Sequence, residues 1–254
     1  PLRTLLLAVC CGLAAACTQR QERLKLMSYN IRNGIGIDNI QDIGRIARVI
    51  LREAPDLVAL QELDSATLRV DGRYIPGELG RMTGMHATFG RAIGFAGGSY
   101  GIGLLSRTEP LAVRSIPLPG REEARVLLMA EFPDYTVCIT HLSLTPEDRL
   151  ASLPIIREAT DTCRKPVLLA GDFNTGNAAA VLAGLGGGFR ILSDTTRMTF
   201  PSDNPAVRID YILGRGLPTS ATVAESAVDH TATASDHCPL WVTLVWKRGK
   251  QPGK

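Results

Sequence analysis

The stretch Val167-Leu168-Leu169-Ala170-Gly171-Asp172-Phe173-Asn174 joins a short apolar run to a polar end. Four apolar residues bounded by a glycine are typical of a buried strand, in which alternate side chains project from the same face. Asp172 and Asn174 are two residues apart and would therefore project together where the strand ends. A carboxylate and a carboxamide in this position can hold and deprotonate a water molecule. The stretch predicts a buried strand that delivers two polar groups to the edge of a site.

The N-terminal part of the chain repeats this pattern. Residues 24–29 form an apolar run that ends at Asn30, and residues 56–60 form a second run that ends just before Glu62. Between them, residues 40–52 carry apolar side chains at helical spacing. A strand, a helix and a second strand in this order indicate an α/β fold.

The middle of the chain predicts strands without intervening helices. They cover residues 85–89, 101–106, 111–118, 125–132 and 135–142, and the last includes His141. Neighbouring strands joined by short turns pair in an antiparallel manner. The sequence therefore predicts antiparallel pairing in this part of the chain.

The C-terminal half alternates again between helices and strands. Helices are expected over residues 146–163, where Pro154 should kink or split the helix, and over 177–185. Strands are expected over residues 208–213 and 239–245. The first of these carries Asp210, and Asp236 and His237 directly precede the second.

Composition and charge narrow the class of protein. Among 254 residues, 45% are hydrophobic and 21% are charged, which is ordinary for a globular chain. Five of the 28 basic residues lie in the first 17 or the last eight positions, and without those five the chain has 23 basic and 25 acidic residues, a net charge of −2. Nucleic-acid-binding proteins normally carry a basic surface, so a nucleic-acid partner is not favoured. With no repeat or low-complexity linker, residues 18–254 are predicted to form one domain.

The first 17 residues predict an export signal. Arg3 precedes an uncharged, largely apolar run over residues 5–16, which is too short to span a bilayer as a helix. Ala14-Ala15-Ala16-Cys17 resembles a bacterial lipobox, although Ala14 stands where leucine is usual. We expect an exported lipoprotein of the bacterial cell envelope, held at a membrane surface through a lipid anchor at Cys17. A plain signal peptide with a chance cysteine is the alternative.

Cysteine usage after the signal excludes two kinds of site. Only Cys138, Cys163 and Cys238 remain, an odd number without any Cys-x-x-Cys spacing. Neither a zinc-thiolate site nor a disulfide framework is therefore expected.

Residues with useful chemistry gather where the predicted strands end. They are Asn30, Glu62, His141, Asp172, Asn174, Asp210, Asp236 and His237. Each one alone is more often a turn residue, a cap or a solvated strand end, but their occurrence at successive strand ends favours a shared site. Such a site would be acidic and rich in oxygen ligands, which suits Mg²⁺ or Mn²⁺ better than zinc or copper. Carboxylates and histidines beside such a cation predict metal-assisted hydrolysis of a phosphate ester.

Seven short motifs follow one another along residues 24–246. They are Ser28-Tyr29-Asn30-Ile31-Arg32, Leu60-Gln61-Glu62-Leu63, Tyr100-Gly101-Ile102-Gly103-Leu104-Leu105-Ser106-Arg107, Thr140-His141-Leu142, Gly171-Asp172-Phe173-Asn174, Arg208-Ile209-Asp210-Tyr211-Ile212 and Ser235-Asp236-His237-Cys238-Pro239. In this order they resemble the motifs of the endonuclease/exonuclease/phosphatase superfamily, also called DNase I-like. The resemblance implies a four-layer α/β sandwich of two packed mixed β-sheets flanked by helices, with the site at one edge.

The resemblance also implies how a metal would be held. Glu62 would be the principal ligand of a Mg²⁺ or Mn²⁺ ion. Asn30 and Asp236 would help to hold the ion or its waters.

The catalytic roles implied by the resemblance fall on five residues. Asp172 would activate the attacking water, and Asn174 would orient it. His237, held by Asp210, would contact the scissile phosphate, and His141 would stabilise the phosphate or the leaving oxygen. Water would then attack phosphorus in line, without a covalent enzyme intermediate.

The substrate is less narrowly defined. Arg32 and His141 stand where abasic-site endonucleases usually have an acid and a tyrosine, so that branch is disfavoured. We expect a phosphodiesterase or phosphatase, acting as a monomer on a phosphate ester such as a lipid or inositol-phosphate head group. The alternatives are a secreted DNase I-like endonuclease and a non-catalytic binding protein on the same fold. Arg121 and Arg125 either bind phosphate or belong to a solvated strand edge.

Overall fold

A computed structural model describes residues 21–247 of the chain. The strands are β1 (Gln21–Asn30), β2 (Leu57–Ser65), β3 (His86–Phe95), β4 (Gly98–Ser106), β5 (Ala112–Leu118), β6 (Arg125–Glu131), β7 (Thr136–His141), β8 (Val167–Asp172), β9 (Arg190–Ile191), β10 (Asp210–Arg215), β11 (Thr222–Val228) and β12 (Leu240–Lys247). The helices are α1 (Ile43–Glu53), α2 (Ile75–Thr83), α3 (Pro146–Asp161) and α4 (Ala178–Leu185). The predicted export signal and Cys17 lie outside the described residues, and both predictions stay open.

The strands form two six-stranded sheets. The first has the order β11-β12-β1-β2-β4-β3, and the second has the order β5-β6-β7-β8-β10-β9. Each sheet contains one parallel pair, β1 with β2 and β7 with β8, and the other neighbours are antiparallel. Helix α1 connects β1 to β2, and helix α3 connects β7 to β8, because two adjacent parallel strands need a long crossover connection. Each sheet is therefore mixed, as predicted.

Three apolar clusters hold the layers together. One fills the space between the two sheets and includes Leu26, Leu128 and Leu168. A second lies between the first sheet and helices α1 and α2, and a third lies between the second sheet and helices α3 and α4. The predicted four-layer α/β sandwich is thus confirmed. Among residues 21–247, no helix combines the length and the hydrophobicity needed to span a bilayer.

Strand β8, which ends at Asp172, is buried on both faces. Leu168 and Ala170 belong to the cluster between the sheets, whereas Val167 and Leu169 face the helical layer. A strand packed on both sides reads as a continuous apolar run instead of an alternating one, which is why the sequence signal is strong here.

Some elements differ from the prediction. Helix α1 begins at Ile43, about three residues later than expected, because the side chain of Asp42 accepts a hydrogen bond from Gly44 N and caps the helix. Helix α3 continues through Pro154 as one element, so the helix is not split there. Strands β9 and β11 were not predicted. Strand β11 lies at the edge of its sheet and exposes most of its residues, so its sequence lacks an apolar run.

Strand β1 runs the full height of the first sheet. At its start, Gln21 pairs with Lys247 of β12. At its end, Asn30 pairs with Gln61 of β2. Ten residues of strand span about 30 Å, so these two pairs mark opposite edges of the sandwich.

Candidate active site

Strand register brings the predicted site residues to one edge of both sheets. In the second sheet Asp172 pairs with His141 on one side and with Asp210 on the other. In the first sheet the partner of Asn30 is Gln61, the residue before Glu62. The carboxyl ends of β1, β7 and β8, the middle of β2 and the start of β10 therefore meet, which is the convergence expected from the sequence.

Glu62 reaches the site through a β-bulge. The register between β2 and β4 shifts between Leu60 and Leu63, and Glu62 has a φ of 57°. A left-handed backbone at a residue other than glycine costs on the order of 1–3 kcal/mol, and bulges beside sites serve to re-aim a side chain. The Glu62 Oε1 atom accepts a hydrogen bond from Asn30 Nδ2 at 3.0 Å. The bulge thus directs this half-buried carboxylate toward the second sheet.

Asp172 is the hub of the site. Its Oδ2 atom accepts a hydrogen bond from Asn30 Nδ2 at 3.1 Å and lies 3.6 Å from His141 Nε2 and 3.7 Å from His237 Nε2. Its Oδ1 atom accepts a hydrogen bond from Asn174 N at 2.8 Å. Burial and the neighbouring carboxylate of Asp210 raise the pKa of Asp172, which makes this carboxylate a stronger base than an exposed one.

The predicted contact between Asp210 and His237 is present. Asp210 Oδ2 lies 3.0 Å from His237 Nδ1, and both side chains are buried. A carboxylate only accepts, so Nδ1 carries a proton and donates it. Burial lowers the pKa of His237, but Asp210, Asp172 and Asp236 outweigh burial and raise it to about 10. Asp210 therefore sets the orientation of the ring, and the surrounding carboxylates favour its protonated form.

Asn174 and Asp236 are held in different ways. The Asn174 side chain donates from Nδ2 to Leu142 O at 2.8 Å, which ties the end of β8 to the segment that follows β7. The carboxylate of Asp236 lies 3.5 Å from Arg32 Nε. The hydroxyl of Ser235 donates to the carbonyl oxygen of Asn30 at 2.7 Å, so the segment before β12 is fastened to the end of β1.

The sequence profile described as the endonuclease/exonuclease/phosphatase family matches residues 27–237. The chain belongs to the endonuclease/exonuclease/phosphatase family. No curated protein sequence matches the chain.

Several solved structures share the family fold. A protein described as an endonuclease/exonuclease/phosphatase from Beutenbergia cavernae is 24% identical, with a TM-score of 0.70 over 89% of this chain and 72% of that one. A Bacteroides thetaiotaomicron mannosyl-6-phosphatase is 19% identical, with a TM-score of 0.69 over 87% of this chain and 99% of that one. D. rerio TDP2, solved with a single-strand DNA product, is 22% identical, with a TM-score of 0.66 over 87% and 98%. At these identities the likeness shows the fold alone.

The family implies a divalent metal, and the donor groups in this chain fit one. Glu62 makes no ion pair with a lysine or arginine among residues 21–247, and its hydrogen bond comes from the Asn30 amide. A half-buried carboxylate without a cationic partner is a suitable ligand for a hard cation. The predicted ligands Asn30, Glu62 and Asp236 therefore remain the proposed set.

A second cluster of potential ligands has to be weighed against this set. Asp172, Asp210 and His237 are the one group in the described part of the chain whose ligand atoms lie within 4.8 Å of one another. We favour the site at Glu62, because the Asp210 carboxylate already accepts the Nδ1 proton of His237, whereas the Glu62 carboxylate meets no lysine or arginine among residues 21–247.

Three further residues contact the candidate site. The sequence assigned no role to Phe200 or Ser235, and it left two alternatives open for Arg125. The ring of Phe200 packs against that of His237 with centroids 4.8 Å apart, Ser235 fastens two segments, and Arg125 contacts His141. Phe200 lies in a loop with no periodic pattern, so nothing local marks it. Arg121 binds Asp148 at the surface and is a solvated edge residue, whereas Arg125 is buried.

Gly171 provides a first test of how β8 positions the candidate active site. Its φ is 155°, and a Cβ placed on it would lie 2.0 Å from Thr140 O of the adjacent strand. We expect Gly171→Ala to lower the free energy of unfolding by about 3 kcal/mol or more, since backbone must move. Urea denaturation measures this loss. Gly176→Ala, whose Cβ would lie 3.7 Å from the nearest atom, should change stability little. Equal effects for the two variants would contradict the argument.

Glu122 provides a second test, of stability against pH. Burial raises its pKa, but hydrogen bonds from Ser143 Oγ, Leu144 N and Thr145 Oγ1 outweigh burial and lower it to about 2. A depressed pKa stabilises the fold above the unfolded value of about 4.3, and this contribution disappears as the pH falls through 2. We expect Glu122→Gln to lose about 1 kcal/mol at pH 7 and to match the wild type near pH 2.

The measurement for Glu122 is chemical denaturation at a series of pH values. The exposed Glu158→Gln on α3 removes the same charge without these hydrogen bonds. It should follow the wild type throughout. A Glu122→Gln difference that stays constant with pH would show that the carboxylate charge is not the cause.

Proposed function

We propose that the protein is a divalent-metal-dependent phosphoesterase that hydrolyses a phosphate ester by in-line attack of an activated water. One observation carries the proposal: the Asn30 amide and the Nε2 atoms of two histidines converge on a single oxygen of Asp172. A basic carboxylate oxygen surrounded by hydrogen-bond donors suits a water and an anionic phosphate side by side.

The residues divide the work as follows. Asp172 takes a proton from the attacking water, and its raised pKa strengthens it as a base. The His237 imidazolium, held by Asp210, neutralises charge that develops on the phosphate. Glu62, with Asn30 and Asp236, would hold the metal. When bound, that ion would supply Lewis-acid polarisation of a phosphoryl oxygen.

A panel of phosphate esters tests the reaction class. Protein spanning residues 18–254 is expected to cleave bis-p-nitrophenyl phosphate or p-nitrophenyl phosphate with Mg²⁺ or Mn²⁺, and EDTA should stop the reaction. Which of the two esters is cleaved separates diesterase from monoesterase activity. The absence of turnover with any divalent ion would instead support the binding-protein alternative.

Further compounds in the same panel test which substrate is the natural one. A sugar monophosphate, single-stranded DNA, supercoiled plasmid, inositol phosphates and liposomes cover the remaining classes. Similarity to a mannosyl-6-phosphatase and to TDP2 motivates the first two of these compounds. Plasmid nicking that is lost in His237→Ala would favour the nuclease alternative, and release of a phosphorylated head group from liposomes would favour the lipid substrate.

We also propose that the protein is an exported lipoprotein of the cell envelope. The proposal rests on the sequence of residues 1–17, with Ala14-Ala15-Ala16-Cys17 at its end. Labelling of cells with radioactive palmitate should mark the protein, and Cys17→Ala should abolish the label. An unlabelled wild-type protein would leave only a plain signal peptide.

A further inference from the structure

Arg125 lies deeper in the site than its position at the start of β6 suggests. Only 6% of the residue is exposed, and its Nη1 atom lies 3.2 Å from Nδ1 of the His141 ring, which is itself 7% exposed. The guanidinium is oriented by two carboxylates on its own segment, with Nη1 2.8 Å from Glu123 Oε1 and Nη2 3.4 Å from Glu122 Oε1. Glu122 in turn binds the segment that follows His141.

This contact determines where the His141 proton resides. A guanidinium has only donors, so Nδ1 of His141 must accept the hydrogen bond. A ring nitrogen that accepts carries no proton. The neutral ring therefore has its one proton on Nε2, and Nε2 faces Asp172 Oδ2 at 3.6 Å.

The neighbourhood of His141 opposes a second proton. Burial lowers the pKa of His141 well below its ordinary value, and the positive charges of Arg125 and His237 lower it further. His237 has the opposite environment, because Asp210 holds its Nδ1 proton. The two histidines that face the same oxygen of Asp172 therefore have different partners at Nδ1, a guanidinium for His141 and a carboxylate for His237.

We propose that Arg125 is a positioning residue that fixes His141 as the neutral tautomer with its proton on Nε2. His141 then acts at the reacting phosphate as a neutral hydrogen-bond donor. The part played at phosphate rests on the proposed function, whereas the tautomer does not.

Nitrogen NMR of the histidine rings tests the tautomer directly. In protein spanning residues 18–254 at pH 7, the His141 ring should show an unprotonated Nδ1 and a protonated Nε2. Its signals are identified by their loss in His141→Gln. In Arg125→Met, which removes the donor, we expect a protonated Nδ1 to appear. Arg125→Lys retains a donor and should keep the wild-type pattern.

Kinetics on the best ester of the panel provide the second readout. We expect Arg125→Met to lower kcat by about 10- to 100-fold, with a smaller change in KM. A misplaced hydrogen-bond donor reduces stabilisation of the transition state more than it reduces binding of the substrate. Arg125→Lys should recover part of this loss. Arg121→Met is the matched control. It removes a nearby arginine whose guanidinium binds Asp148 and not His141. It should leave both readouts unchanged.

The outcomes separate this proposal from the proposed function. A wild-type His141 with a protonated Nδ1, or with both nitrogens protonated, would overturn the assignment. An unchanged ring pattern in a folded Arg125→Met would overturn the role of Arg125. If Arg125→Met does not fold, the wild-type spectrum still tests the His141 tautomer, and Arg125→Lys still tests the role of Arg125. A protein with the expected tautomer but no turnover on any ester would reject the phosphoesterase and leave the tautomer assignment intact.

Discussion

Replacing Asp172 with asparagine is expected to lower kcat by about 10²- to 10⁴-fold, the range that general-base catalysis contributes. The amide has the size of the carboxylate and can still accept a hydrogen bond from Asn174 N, but it cannot take a proton from water. The variant also removes a buried charge beside Asp210. We therefore expect the Tm to stay within a few degrees of the wild type or to rise.

Steady-state kinetics and thermal denaturation check both parts of this result. Asp161→Asn is the control, because Asp161 is more than half exposed and pairs with Arg215 at the opposite end of β10. It should leave kcat unchanged. A folded Asp172→Asn that retains activity within about threefold of the wild type would show that another group activates the water.

Replacing Glu62 with glutamine is expected to weaken Mn²⁺ binding by at least about 100-fold. Groups that only support a ligand typically change metal affinity by 10- to 100-fold, so loss of the principal ligand should have no smaller effect. Glutamine occupies the same bulge with the same positive φ, so the backbone strain is unchanged and the fold should be retained.

Titration with Mn²⁺ followed by electron paramagnetic resonance measures the affinity without any substrate. Glu109→Gln is the matched control, because Glu109 is an exposed residue in the turn after β4, away from the catalytic edge. It should bind Mn²⁺ as the wild type does. Equal affinity in Glu62→Gln would move the metal site elsewhere, to the cluster around Asp172 for example. A wild type that binds no Mn²⁺ would remove the metal from the proposed function.

The convergence of the site was predictable because its residues end buried strands. Continuous apolar runs identify β2 and β8, and polar residues directly after such runs must lie at the sheet edge. The pairings of His141 with Asp172 and of Asp210 with Asp172 follow once those strands are neighbours. Local sequence therefore identifies the edge, and pairing between strands brings its members together.

Other features depend on contacts that no local pattern records. The bulge at Glu62 depends on pairing with β4, and the sequence predicts the end of a strand there, whereas β2 continues past the bulge to Ser65. Arg125 looks like a charged strand edge in the sequence, and only the structure shows it buried against His141 of the neighbouring strand. Strand β11 escaped detection because one pairing partner is enough to hold an edge strand without an apolar face.

The direction of β1 has a consequence for how an anchored enzyme would be oriented. Gln21 lies about 30 Å from the catalytic edge, and Cys17 precedes it by only four residues, a reach of at most about 14 Å. A lipid on Cys17 would therefore attach the molecule to the bilayer at the edge opposite the candidate site. In this orientation the site would face the aqueous phase. An upright molecule could not reach head groups of the membrane that holds it. Dissolved phosphate esters, or esters on a facing surface, would be the compounds within its range.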